Sequence, residues 1–220
     1  MFTITPSLPA LSFDEILKLA RSLNGVAREL QIDIVDGKFV PAVSWPFTET
    51  DPVHELQKIS EITEIFDIEM DCMVKNPEQF LDLFVKLGVK RVIVHMGSTE
   101  IYEEIIGHAR LHGYKIGFAF TNDIPLSEVE VFIPKIDFVQ IMGIAHVGKQ
   151  GQPFDQRTLS TAQTLRAKYP ELEIAVDGSV NTSTIVALKE AGVNRFAPGS
   201  AVAKQVDQKA AYLHLVSLVS

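Results

Sequence analysis

Two loops and three acidic strands hold the residues of this sequence best suited to chemistry. Asp177-Gly178-Ser179-Val180-Asn181-Thr182 and Pro198-Gly199-Ser200-Ala201 are small-residue turns that follow apolar runs and open onto helix starts. Bare backbone N–H groups in such turns, helped by the helix dipole, hold phosphate. The acids lie on runs otherwise built from Ile, Val, Phe and Met: Gln31-Ile32-Asp33-Ile34-Val35-Asp36-Gly37, Glu69-Met70-Asp71-Cys72-Met73 and Ala175-Val176-Asp177. A period of two puts Gln31, Asp33 and Val35 on one face of their strand, and Glu69, Asp71 and Met73 on one face of theirs. A fourth run ends at His95. Burying a carboxylate without a partner is costly, so three strands that carry acids point to a site.

Other features read as structure. Asp36, followed by Gly37, is a turn-maker, and Cys72 a small buried hydrophobe. Gly143-Ile144-Ala145-His146-Val147-Gly148-Lys149 begins like a nucleotide-binding loop, but Gln150 stands where a Mg²⁺-holding hydroxyl is required and Pro153 follows where a helix should run. His108 and His112 are spaced i, i+4 without a Glu after the first His, so they make no zincin motif and read as a solvated helix face.

Positioning these residues falls to a regular alternation. Strand-like runs cover Thr3–Leu8, Glu29–Val35, Ile65–Val74, Arg91–His95, Lys115–Phe120, Asp137–Met142, Glu173–Val176 and Arg195–Ala197, with helix-like stretches between them and after the last. Alternation implies a parallel sheet with helices outside. Eight units in 220 residues predict one closed (β/α)₈ TIM-barrel domain over 1–220. The rival open doubly wound sheet would show a glycine fingerprint after its first strand, and none is present. In a barrel the site lies at the C-terminal strand ends, where Asp33 and Asp177 fall. Phosphate is often held there by the loops after strands seven and eight.

Composition narrows the function classes. Twenty-eight acids against 20 bases give a net charge of −8, which argues against nucleic acid as a partner and against long-range attraction of an anionic substrate. One cysteine excludes an intramolecular disulfide and fits a reducing cytoplasm. No signal peptide is expected, and no apolar stretch is long enough to span a membrane.

Taken together, Thr5-Pro6-Ser7-Leu8, Asp33-Ile34-Val35-Asp36-Gly37-Lys38-Phe39-Val40-Pro41, Asp71-Cys72-Met73-Val74, Asp137-Phe138-Val139-Gln140-Ile141-Met142, Val176-Asp177-Gly178-Ser179-Val180 and Gly199-Ser200-Ala201 resemble the ribulose-phosphate 3-epimerase family. They keep the family's order and spacing across essentially the whole chain. The resemblance implies a (β/α)₈ barrel and an isomerase of carbohydrate metabolism. Two carboxylates on opposite faces of a ketose phosphate, here Asp33 and Asp177, would invert a carbon through an enediolate. It further implies that Ser7, Met73 and Met142 line the substrate pocket. Gly178, Ser179, Gly199 and Ser200 would cradle phosphate.

The departures bear on the metal. The family's metal ligands are two His and two Asp, and the His positions here hold Gln31 and Asp71. A family Met is Val35, a family Gly is Ser179, and the loop His146–Gln152 is one residue longer than the family's. Gln31, Asp33, Asp71 and Asp177 make an all-oxygen set, one charge negative around a dication, which favours Mg²⁺ or Mn²⁺ over Zn²⁺. Without a metal, the acids must share a proton. His146 or Lys149 could add compensating charge. The expected partner is a small phosphorylated sugar, and the expected assembly a homo-oligomer. The alternatives are an aldolase- or decarboxylase-type enzyme, disfavoured by the lack of a Lys beside Asp33, and a non-catalytic sugar-phosphate-binding barrel.

Overall fold

Pro6 determines how the barrel begins. The stretch expected as one strand, Thr3–Leu8, forms two short ones in the computed structural model, β1 (Thr3–Ile4) and β2 (Ser7–Leu8). Proline has no N–H to give to a ladder. The two halves bind opposite edges of the sheet: β1 pairs with β9 (Arg195–Ala197), and β2 pairs with β3 (Glu29–Val35). The remaining strands are β4 (Asp67–Met73), β5 (Arg91–His95), β6 (Lys115–Phe120), β7 (Phe138–Met142) and β8 (Glu173–Asp177), each parallel to its neighbours. Helices lie between them, and the architecture is a (β/α)₈ TIM barrel. The structure describes residues 2–148 and 151–220; Lys149 and Gln150 lie outside them.

Most apolar side chains fill the shell between strands and helices, as in Ile32, Ile34, Ile68, Met70, Val92, Val94, Ile174 and Val176. These alternate with the inward residues, so the period of two read from the sequence holds. Inside the ring a smaller cluster remains, made of Ile93, Ala119, Phe138, Met142 and Ala175. On β3, β4 and β8 the other inward residues are mostly polar, Val35 and Met73 at the upper strand ends being the apolar exceptions. The closing seam is reinforced outside by the helix Phe13–Leu23 packing on the last helix, Gln208–Val219, where Ser22 Oγ donates to Gln208 Oε1. Asp207 caps that last helix, accepting from the Ala210 N–H at 2.8 Å.

Candidate active site

The sheet register sets the acids side by side. Asp33 on β3 is the Cα partner of Asp71 on β4, and Asp177 on β8 is that of Met142 on β7. Closing the ring brings all three carboxylates together, with one oxygen from each within 4.8 Å of the others. Gln31 lies among them. Its Nε2 donates to Asp33 Oδ1 at 2.9 Å and to Asp177 Oδ2 at 2.9 Å, with Asp71 Oδ2 farther off at 3.4 Å. An amide nitrogen has two hydrogens, so three acids compete for two donations.

Asp71 has its own supports. His95 Nε2 lies 2.7 Å from Asp71 Oδ1, and Gln140 Nε2 donates to Asp71 Oδ2 at 2.9 Å. Sequence reading noted His95 as a strand end and Gln140 as part of a family motif, but gave neither a role. The signal was the strand period: Gln140 stands two residues before Met142, on the face that lines the barrel.

Burial governs the electrostatics. Loss of water, and then the charges of Asp177 and Asp71, hold the Asp33 carboxyl well above the usual carboxylate range, against the hydrogen bond from Gln31. Asp177 is pushed up to about 7, by burial first and by Asp71 next. Metal-free, the cluster therefore retains protons at neutral pH.

A cavity of about 220 Å³ opens above the cluster. Asp33 and Asp177 reach it from below, while Gln31 and Asp71 lie deeper, at 1% and 0% exposure. Ser7, Met73, Met142, Gly178, Ser179, Gly199 and Ser200 all line it, with Gly199 close beside Ser7. All the residues expected at the pocket thus meet around one space, with Gln31 and Asp71 beneath it.

The phosphate-type loops differ from expectation in one respect. Gly199 leads directly into the short helix Ser200–Ala203. The other loop runs into a turn held by Asn181 and Thr184, and its helix starts only at Ile185. Gly178 and Ser179 both have left-handed backbones, with φ of 98° and 55°. Serine pays for that conformation where glycine does not. Its hydroxyl compensates by donating to Gln152 O at 2.6 Å, which ties the phosphate-type loop to the loop after β7. Gly143 is fixed by crowding, since a Cβ there would overlap Gly178 O. His146, which with Lys149 could have offset the acids' charge, is exposed on the same loop.

Below the cluster lies a buried ionic layer that the sequence reading missed. Arg91 Nε meets Glu69 Oε2 at 2.7 Å, Arg195 Nη2 meets the same oxygen at 3.1 Å, and the two arginines also pair with Glu173 and Glu29. The Arg91 guanidinium lies 4.0 Å from the Phe138 ring centroid. Glu69, read in sequence as sharing a face with Asp71, therefore has arginine partners of its own and belongs to the floor. Asp36 proves to be a turn-maker, accepting from Lys38 N at 2.8 Å and Phe39 N at 3.0 Å. Cys72 is buried.

The model of the ribulose-phosphate 3-epimerase family matches residues 3–203. The chain belongs to this family. Ribulose-phosphate 3-epimerase of Schizosaccharomyces pombe is 33% identical over 203 residues, covering 90% of this chain and 86% of the relative. That of Chlamydia trachomatis is 30% identical, covering 87% and 82%. Membership of the ribulose-phosphate 3-epimerase family places the chain among isomerases of the carbohydrate-phosphate epimerase kind. Solved structures show the fold alone. 3-Hexulose-6-phosphate synthase from Salmonella typhimurium superimposes with a TM-score of 0.74 at 16% identity, covering 99% of this chain and 98% of that one. A tryptophan synthase α-subunit from Pyrococcus furiosus gives 0.70 at 20%, covering 99% and 98%. Among the described residues, no helix is long and apolar enough to cross a membrane.

Proposed function

We propose that this chain is a ribulose-phosphate 3-epimerase-type enzyme that inverts the carbon next to the ketone of a ketose phosphate, with Asp33 and Asp177 as the two proton-transfer groups. One observation carries the reading: two carboxylates of raised proton affinity enter a single cavity, Asp33 from β3 and Asp177 from β8, with the Gln31 amide between them. Inversion needs a base on one face of the carbon and an acid on the other, because one group cannot reach both. A carboxyl that titrates near neutrality serves either role. Gly178, Ser179, Gly199 and Ser200, which line the cavity, would hold the phosphate, and Ser7, Met73 and Met142 would enclose the sugar. The packed methionines also keep water from the exposed carbanion.

The residues fit a divalent cation. Three carboxylates already converge, and Gln31 Oε1 is buried with no hydrogen-bond partner among the described residues. Gln31, Asp33, Asp71 and Asp177 would hold the ion, the Gln31 amide turning over to present its oxygen. The all-oxygen set selects Mg²⁺ or Mn²⁺ over Zn²⁺. A bound cation supplies positive charge beside the substrate's ketone and hydroxyl oxygens.

The test is solvent exchange. Ketopentose and ketohexose phosphates incubated in D₂O with Mg²⁺ or Mn²⁺ should take up deuterium beside the ketone and yield the epimer. Absence of exchange with every such substrate and either metal would overturn the proposal. A symmetric homo-oligomer is proposed with it, and light scattering checks that.

A further inference from the structure

The geometry points to a second metal site on the outside of the barrel, built from Asp82, His108 and His112 and suited to a borderline transition ion such as Zn²⁺, Ni²⁺ or Cu²⁺. His108 and His112 stand one turn apart on the helix Tyr102–His112, their ring centroids 4.3 Å from each other. Asp82 comes from the preceding unit's helix, Leu81–Lys86, and its Oδ1 lies 3.0 Å from His108 Nε2. One ligand atom from each residue lies within 4.8 Å of the others. Side-chain rotations alone can bring such a set to the ~2.0–2.2 Å bonds that zinc takes from nitrogen and carboxylate oxygen.

An outer contact orients the pair. The Tyr114 hydroxyl lies 3.0 Å from His108 Nδ1 and occupies the ring nitrogen facing away from Asp82. A histidine held this way presents its other nitrogen outward, which is how metal-binding imidazoles are commonly fixed. Two imidazoles and one carboxylate leave a fourth position for water. The nitrogen-rich set separates this site from the all-oxygen cluster in the barrel, so the two would sort metals by type. The lack of a zincin motif bears only on hydrolysis. The third ligand comes from a neighbouring helix, and a bound ion would clip the two helices together.

The experiment titrates untagged, full-length protein with Zn²⁺ by calorimetry in a saturating excess of Mg²⁺, and follows thermal midpoints in parallel. Wild type should bind one Mg²⁺-resistant equivalent and gain thermal stability. Asp71→Asn should keep that equivalent. His112→Ala and His108→Gln should lose it while keeping the metal-free midpoint of wild type. His112 is exposed, so its variant tests the site even if His108→Gln folds poorly. Tyr114→Phe should bind about tenfold more weakly. No Mg²⁺-resistant equivalent in wild type, its retention in His112→Ala, or its loss in Asp71→Asn would overturn the inference.

Discussion

His95 and Asp71 meet across neighbouring strands, the imidazole Nε2 2.7 Å from the carboxylate Oδ1, both side chains nearly without water contact. Asp71 stands where the family resemblance implies a histidine, and here the imidazole comes from the next strand. Replacing His95 with Ala removes one of the two contacts that fix Asp71, the other being Gln140, and should weaken Mn²⁺ binding about 10–100-fold. His95→Gln, which keeps a donor, should fall between. Mn²⁺ titration by electron paramagnetic resonance checks this without relying on turnover, and equal affinity in all three proteins would refute it.

Asp33 and Asp177 should fail in different ways. Asp33→Asn and Asp177→Asn should each lower epimerisation by about 10²–10⁴-fold, the span of a lost general acid or base. Each variant should still exchange the α-hydrogen of one epimer with solvent, and not of the other, because one face keeps its base. Deuterium wash-in from both epimers, followed by NMR, distinguishes this from general damage. Exchange lost equally from both epimers in both variants would contradict a two-base arrangement.

Stability of the metal-stripped protein should depend on pH through the same acids. The Asp177 carboxyl keeps its proton up to about 7 in the folded chain, against an ordinary value of 3.8, and Asp33 is shifted in the same direction. Between those limits the folded state binds more protons than the unfolded one. The contribution is therefore whole below the ordinary value and is lost as pH rises through about 7. Each extra proton gives a slope of about 1.4 kcal/mol per pH unit. Urea unfolding in a chelator should show Asp177→Asn with a flatter profile than wild type, and more stable at pH above that limit. Parallel profiles would count against it.

The ionic floor should matter more for stability than for turnover. Arg91→Ala strips Glu173 of its buried partner and leaves Glu69 with Arg195 alone. Breaking a buried pair costs about 3–5 kcal/mol. The double change Arg91→Met with Glu69→Leu should cost less than the two single changes summed, since neither member of the Arg91–Glu69 pair is left facing the other's absence, while Glu173 loses its partner in the Arg91 single and the double alike. Chemical denaturation of the four proteins measures the coupling.

Much of the site was legible because strands alternate. A period of two on β3 and β4 was enough to put Gln31 with Asp33, and Asp71 with Met73, on inward faces. The bounds of β3, β5, β6 and β9 also match the apolar runs. What the sequence hid were contacts set by ring closure. Arg195 finds Glu69 across the barrel interior, and no local spacing encodes that meeting. His95 shares the inward face of a five-residue strand with only Arg91 and Ile93, too short a run for a pattern to single it out. The break at Pro6 was readable in principle, because a residue without an N–H cannot sit mid-ladder.

That break has a consequence for how the molecule comes into being. Thr3 is held by Arg195 and Ser7 by Gln31, so this segment is a clasp whose second catch is made only after β9 has been synthesised. Until β9 has emerged, the sheet is an open arc, and Asp33 and Asp177 belong to ends that have not yet met. The meeting of Asp33 with Asp177 therefore waits for β9, and a nascent fragment holding all three clustered acids but lacking that strand would leave them apart.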